Sequence, residues 1–173
     1  SLDDISLMKN IPNMNIICPG DQLEVTSLTN QISKIKKPFY LRLGKKGEPT
    51  VNSKKNIKIF RINQIDKGRK VCIISIGNML GVGDELKKKL IKKKIKESLY
   101  SLHSVIPLNI KEIKTILKKY KTIVFLEEHY HHCGITKEIL YLLNKELKNK
   151  NIVFEEISKK FYTGLGEQQD ARK

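Results

Sequence analysis

The chain has 173 residues, 39% of them hydrophobic and 30% charged, with 10 Gly, 5 Pro and a formal net charge of +16. That length suits one ordinary domain, or one domain plus a piece of another, and the balance excludes collagen-like, low-complexity and disulfide-scaffold classes. No apolar stretch approaches the roughly 20 residues of a membrane-spanning helix.

The acidic start, Ser1-Leu2-Asp3-Asp4, lacks an initiator Met and resembles no signal or transit peptide, so the expectation is a chain cut from something longer. Asp3 or Asp4 is placed to cap a short helix through Lys9, closed at Ile11-Pro12-Asn13, because a residue before Pro avoids helical backbone. Met14–Cys18 is a short apolar run ended by Pro19-Gly20 and predicts a buried strand. Asp21 then caps a helix carrying Leu23, Leu28, Ile32 and Ile35 on one face. Pro38 opens a second strand, Phe39–Leu43, ended at Gly44. Such a segment is half of an α/β sheet and cannot bury both faces by itself.

Lys45–Asn56 is polar, with Gly47, Pro49 and Ser53, and reads as a linker. Val71–Gly77 is almost uniformly apolar, as a central parallel strand should be. A helix over Gly81–Lys96 and a strand around Leu99–Val105 follow. Pro107-Leu108-Asn109 starts the next helix, with Ile110, Ile113, Ile116 and Leu117 inward. Thr122–Glu127 predicts another buried strand, the residues after Gly134 a helix, and Ile152–Phe154 a last strand. Strands and helices alternate with short connections, which predicts an α/β fold, a mostly parallel sheet sandwiched by helices. The expected organisation is a partial α/β domain over 1–48, a linker at 49–58, a complete domain over 59–163 and a flexible tail over 164–173.

The charge invites a nucleic-acid reading, since clustered cations attract a phosphate backbone. The residue types argue otherwise: thirty of the cations are Lys and only four are Arg, whereas specific phosphate and base recognition favours the Arg fork. The densest run, Lys87–Lys96, keeps Val82, Leu86, Leu90, Ile91 and Ile95 at helical spacing and reads as a solvated helix face. A general attraction to anionic partners remains as an expectation. Cys18, Cys72 and Cys133 are far apart, each in or beside an apolar run, which predicts reduced, partly buried thiols of a cytoplasmic protein.

Ligands of open parallel sheets bind beyond the carboxyl ends of strands, and three segments meet that rule. Gly77–Gly83 follows a buried strand but has neither dinucleotide nor P-loop spacing, so it reads as a structural turn. Glu127-Glu128-His129-Tyr130-His131-His132-Cys133-Gly134 holds metal-ligand types without any regular zinc spacing. Glu127, Glu128 and His129 are therefore expected to form a hydrogen-bonded corner at a domain or subunit contact, with no metal. In Arg42-Leu43-Gly44-Lys45-Lys46-Gly47, two glycines let a basic loop approach an anion, making Arg42 and Lys45 candidate phosphate ligands, with an exposed basic linker as the alternative. His103, alone on an expected strand, reads as structural.

Several of these segments together resemble the transketolase family. Ser1–Met14 followed by Pro19-x-Asp21 is similar to its pyrimidine-binding domain, where a helix ending in R-x-I/L-P-N precedes a strand leading to P-x-D. Pro38–Lys45 is similar to that domain's last strand, usually P-x-Y-x-R-x-x-R. Val71–Gly77, His103–Leu108 and Val124–His129 resemble the family's C-terminal domain, with its T-I-I-A-x-G strand, its T-I-K-P-L-D segment and its V-x-E-E-H strand end. The resemblance runs in order from Ser1 to about Phe154. It implies the C-terminal part of an enzyme that transfers a two-carbon ketol unit between sugar phosphates, using thiamine diphosphate and a divalent metal such as Mg, in a homodimer or with a companion subunit carrying the diphosphate-binding domain.

By the same resemblance, the ligands of diphosphate and metal, the glutamate that activates the aminopyrimidine, and a substrate-binding His lie outside the 173 residues. This part alone is then expected to bind no cofactor and to be inactive. Lys45 stands where the family usually carries an Arg for the sugar phosphate, and Cys133 where it usually has Gly. Lys keeps the charge without the bidentate geometry. A deoxyxylulose-phosphate synthase-like carboligase is the enzyme alternative, and a noncatalytic dimerisation or scaffold domain the other.

Overall fold

Helix α1 (Asp4–Met8) delivers the chain through the Pro12 turn, where Asn13 takes a positive φ of 60°, into β1 (Asn15–Ile17). These features belong to a computed structural model that describes residues 2–44, 47–53, 56–130 and 133–157. Asp21 caps α2 (Gln22–Ile32), its Oδ1 accepting the Glu24 amide at 3.0 Å, and β2 (Phe39–Leu41) returns parallel to β1. Next come β3 (Asn63–Asp66), β4 (Val71–Ser75), a 3₁₀ turn at Gly77–Met79, α3 (Leu80–Lys92) and β5 (Glu97–Ser101). The chain closes with β6 (Ser104–Ile106), α4 (Ile110–Leu117), β7 (Thr122–Tyr130), α5 (Ile135–Leu142), α6 (Asn144–Leu147) and β8 (Asn151–Ile157).

The larger sheet has the order β3-β5-β4-β7-β8, parallel except for the edge strand β3. The smaller sheet has the order β2-β1-β6. The fold is thus α/β with a mostly parallel main sheet between helices, as the alternation of elements predicts. Cys72, Ile73 and Ile74 of β4 are wholly buried, which is why an apolar residue stands at each successive position there. Burial pushes the Cys18 and Cys72 thiols up to about 12, leaving them inert as nucleophiles at neutral pH. Among the described residues no helix is long and apolar enough to cross a membrane.

α3 stops at Lys92, short of the expected Lys96, because Lys94 turns to a positive φ of 58°, and two further stretches differ from expectation. The apolar run over 99–105 is not one strand. Leu102 N donates to Ser75 O at 2.9 Å, whereas His103 O accepts from Cys18 N at 2.7 Å, so the backbone changes sheets between these two residues. β6 then pairs antiparallel with β1. β3 was not expected at all: Asn63-Gln64-Ile65-Asp66 is half-buried along its length, an edge strand without an apolar signature. The expected linker is also tied down in its described part. Asn52 is buried, and Asp21 Oδ2 accepts from the Val51 amide at 3.0 Å and the Asn52 amide at 2.7 Å.

One core cluster joins Ile5, Ile16 and Cys18 from the first segment to Ile74, Tyr100, Phe125 and Ile135 from the later elements. On the opposite face of the main sheet, Ile73, Leu80, Leu99 and Leu126 pack with the apolar side of α3. Of the lysines expected on a solvated face, Lys88, Lys89 and Lys92 of α3 are exposed, whereas Lys87 folds back onto Asp66 at 2.8 Å and Lys93–Lys96 lie beyond the helix end. Lys88 is 68% exposed and pairs with Asp84 at 2.7 Å, one turn earlier. Replacing Lys88 and Lys92 with Glu is expected to shift the unfolding free energy by only about 0.5 kcal/mol each, mostly through the new like-charge pair at Asp84. Chemical denaturation measures it, and a cooperative loss of folding would mean that this face is buried.

Candidate functional site

β7 runs nine residues, and its last turn of pleat carries Glu127, Glu128 and His129 into the interior, all three buried. The Glu127 carboxylate caps α5 from outside that helix. Its Oε1 accepts the Ile135 amide at 2.8 Å and its Oε2 the Thr136 amide at 3.0 Å, so the negative charge sits on the helix's positive end. Gly134 is required there, because a Cβ would collide with that carboxylate. Glu128 Oε2 accepts from Asn78 Nδ2 and lies 4.0 Å from Arg42 Nη2, which also donates to the Glu128 carbonyl at 3.3 Å.

Arg42 reaches the corner from the end of β2. Its Nε donates to both carboxylate oxygens of Asp4, at 2.9 and 3.2 Å, and the Tyr40 hydroxyl donates to the same carboxylate at 2.8 Å. Arg42 and Asp4 are only 13% and 11% exposed, so this is a desolvated pair in which each charge depends on the other. Burial, followed by the Asp4 carboxylate, pushes the Tyr40 hydroxyl up to about 12. His129 Nε2 lies 3.9 Å from Asp4 Oδ1. Burial lowers the His129 pKa against the pull of Glu127 and Asp4, and neither ring nitrogen has a hydrogen-bond partner among the described residues. The Tyr130 amide donates to Leu2 O at 2.9 Å, and Lys9 reaches Glu138 of α5 at 3.6 Å.

The structure therefore brings Arg42, Glu127, Glu128 and His129 into one buried cluster. Lys45 lies outside the described residues, as do His131, His132 and the expected tail from 164 onward. The Gly77–Gly83 loop is accounted for by packing. Gly77 has φ +57° against Cys18, and Gly81 abuts Pro49. His103 is buried, with Nδ1 2.9 Å from Ser104 Oγ.

Two cluster members carry no mark in the sequence. Asp4 looks like a helix-capping residue, yet it turns inward and Asp3 makes no side-chain cap. Asn78 lies in a loop that stands out only for its glycines. A second buried polar group is just as inconspicuous. Glu24 Oε2 accepts from the Gly20 amide at 2.8 Å and Ser101 Oγ at 2.9 Å, and its Oε1 from Asn52 and Asn63 amides at 3.3 Å each. The Asp21-x-x-Glu24 spacing is the signal that marks it, being that of a capping box.

Among the described residues no three His, Cys, Asp or Glu side chains converge as a metal site requires. The carboxylates of the corner are already engaged by backbone amides, Asn78 and Arg42. These residues do not fit a metal-bound diphosphate, and no chemical step through one is assigned to them.

Residues 61–158 match the family model described as transketolase, C-terminal domain. The chain is 28% identical over 147 residues to 1-deoxy-D-xylulose-5-phosphate synthase of Natranaerobius thermophilus, covering 83% of this chain and 23% of that protein. It is 24% identical over 147 residues to one of the subunits of apulose-4-phosphate transketolase from Phocaeicola vulgatus, covering 84% of this chain and 47% of that polypeptide. A solved structure described as a split-gene transketolase, inactive beta4 tetramer, shares the fold, with a TM-score of 0.86 and 23% identity over 99% of this chain and 56% of that one. The chain spans about a quarter of the synthase relatives and less than half of the apulose-4-phosphate transketolase polypeptide. With the family model matched over more than half of its length, the chain belongs to the transketolase C-terminal domain family.

Proposed function

We propose that this chain works as the C-terminal part of a transketolase-type enzyme of the cytoplasm, transferring a two-carbon ketol unit between sugar phosphates. The cofactor and metal ligands are then supplied by another segment or by a companion subunit. The observation that supports this most directly is the likeness of nearly the whole chain, first segment included, to a split-gene transketolase. Similarity to a protein named as one subunit of a transketolase points the same way. Thiamine diphosphate, bound by the other segment or subunit, would supply the electron sink for that transfer.

The roles we assign to this chain's own residues rest on placement for the buried cluster and on sequence alone for Lys45. Arg42 spends its charge inside the fold, on Asp4 and Glu128, and is a positioning residue for the loop that follows β2. Lys45, three residues on, is the residue we assign to the sugar phosphate as a point charge. Glu128, through Arg42, holds the segment 1–48 to the domain over 59–163, with His129 packed beside Asp4 and Glu127 fixing the start of α5. The corner by extension supports the subunit contact beside it.

Two measurements test the reading together. Calorimetry of the isolated 173 residues is expected to find negligible thiamine diphosphate binding, and micromolar, magnesium-dependent binding would overturn the division of labour. Adding a polypeptide that carries the diphosphate-binding and upstream pyrimidine-binding segments is expected to produce ketol transfer from a ketose phosphate to an aldose phosphate. Similarity to the synthases supports a second reading, a deoxyxylulose-phosphate synthase-like carboligase. Formation of 1-deoxyxylulose 5-phosphate without ketol exchange would select it. A folded complex with neither activity would select the scaffold role.

A further inference from the structure

Two adjoining cavities, of about 490 and 230 Å³, lie between α4 and the residues that lead into and through β3. They share Arg61, Ile62 and Glu112. Glu112 is fully committed on one oxygen: its Oε2 accepts from Arg61 Nε at 3.1 Å, the Ile62 amide at 3.2 Å and Asn109 Nδ2 at 3.1 Å. Asn109 is fixed in turn, because its Oδ1 accepts the Glu112 amide at the start of α4. The guanidinium of Arg61 is thereby gripped along its Nε edge. Its two terminal nitrogens have no partner among the described residues. Lys58 lines the smaller cavity and Lys111 and Lys119 the larger, and none of the three is ion-paired among the described residues. Four cations thus face a single carboxylate.

The smaller cavity is also lined by His103. Ser104 Oγ accepts from the Phe60 amide at 3.0 Å and lies 2.9 Å from His103 Nδ1. Taking the Ser104 hydroxyl as the donor to Nδ1 assigns the ring proton to Nε2. Nε2 is buried and has no partner among the described residues. Burial pulls the His103 pKa down to about 4, so the ring is neutral at pH 7. A cavity with cationic walls is therefore bordered by a residue holding a buried N–H donor with nothing to give it to. Such donors are rare in folded proteins and call for an acceptor.

We propose that this groove binds a small tetrahedral oxyanion, inorganic phosphate or a phosphate monoester, with the anion in the smaller cavity at Arg61, Lys58 and His103. Any organic remainder lies along the larger cavity. A planar carboxylate offers two oxygens in one direction, too few for a guanidinium fork and an ammonium from the segment before β3 and an imidazole N–H from between β5 and β6. A tetrahedral anion presents oxygens to all three, and the fork suits it in bidentate fashion. The inference stands apart from the proposed enzymatic role and survives its failure.

Titration calorimetry and ³¹P NMR of the full chain, with inorganic phosphate and glycerol 3-phosphate at moderate salt, test it. Acetate and glycerol serve as the comparison ligands. Arg61→Gln is expected to weaken phosphate binding about tenfold or more, and Lys58→Gln, at an exposed position, to weaken it in the same direction. Lys88→Gln, which removes an equal charge from α3, is expected to leave affinity within about twofold. Equal losses in Lys88→Gln and Lys58→Gln would show only diffuse attraction to net charge and overturn the site. Acetate binding as tightly as phosphate would overturn the tetrahedral geometry, and undetectable phosphate binding at millimolar concentration would overturn the proposal outright. Should Arg61→Gln lose its fold by circular dichroism, the Lys58→Gln and Lys88→Gln pair still decides.

Discussion

Replacing Arg42 with leucine is expected to cost about 3–5 kcal/mol of folding stability, because it strands the Asp4 carboxylate in a site it occupies only as half of a pair. Arg42 is the common partner of α1, through Asp4, and of β7, through the Glu128 carbonyl and carboxylate. Its loss therefore acts on the seam between the first segment and the main sheet more than on either one. Urea denaturation measures the total. Hydrogen exchange locates it: amides of β1 and β2 should lose protection before those of β4 and β7. The double variant Asp4→Asn with Arg42→Leu removes both charges and is expected to recover about half of the loss. A single variant that unfolds at the wild-type denaturant concentration would show that the pair contributes nothing to holding the seam.

Glu24→Gln is the second large effect, roughly 2–4 kcal/mol for an exchange of one oxygen for one nitrogen. Both carboxylate oxygens face donors: the Gly20 amide and Ser101 hydroxyl on one side, the Asn52 and Asn63 amides on the other. Whichever way the new side-chain amide is turned, its NH₂ opposes groups that also donate, and a fully buried position offers no water to relieve them. Burial raises the Glu24 pKa while the Gly20, Ser101 and Asn63 donors pull it back. Thermal and urea unfolding of the variant provide the check. A loss below about 0.5 kcal/mol would mean that the surrounding amides reorient freely, and that the network does not fix the junction of α2, β3 and β5.

Much of the architecture was legible because burial leaves a compositional trace. β4 and β7 are covered on both faces through their middle, so Val71–Ile74 and Ile123–Leu126 are apolar at successive positions. β3 left no such trace, since an edge strand half-open to solvent tolerates Asn, Gln and Asp. The break at Leu102 was invisible for the opposite reason. Residues on both sides of it are buried, so hydropathy continues while the hydrogen-bond partner changes from Ser75 to Cys18.

The corner was half legible. Glu127-Glu128-His129 stands out as a polar group at the end of an apolar strand, but nothing local shows that Arg42 and Asp4 meet it. Arg42 and Glu128 are 86 residues apart in sequence. Arg61 and Glu112 are hidden for the same reason, as ordinary charged residues 51 positions apart.

The strand β6 has a consequence for how proteins of this kind can be divided and recombined. It lies within the span of the family match, 61–158, yet its ladder partner is β1, far outside it. A shuffling boundary placed at the linker, where composition suggests a seam, would strip β1 of one neighbour and leave β6 with none. A grafted C-terminal domain then arrives with an open backbone edge, ready to pair with any extended peptide it meets. Cuts made upstream of α1 leave this pairing whole. Chimaeras that transfer residues 2–157 as a block should stay in solution, and those joined between 48 and 59 should aggregate unless host and donor strands match in register.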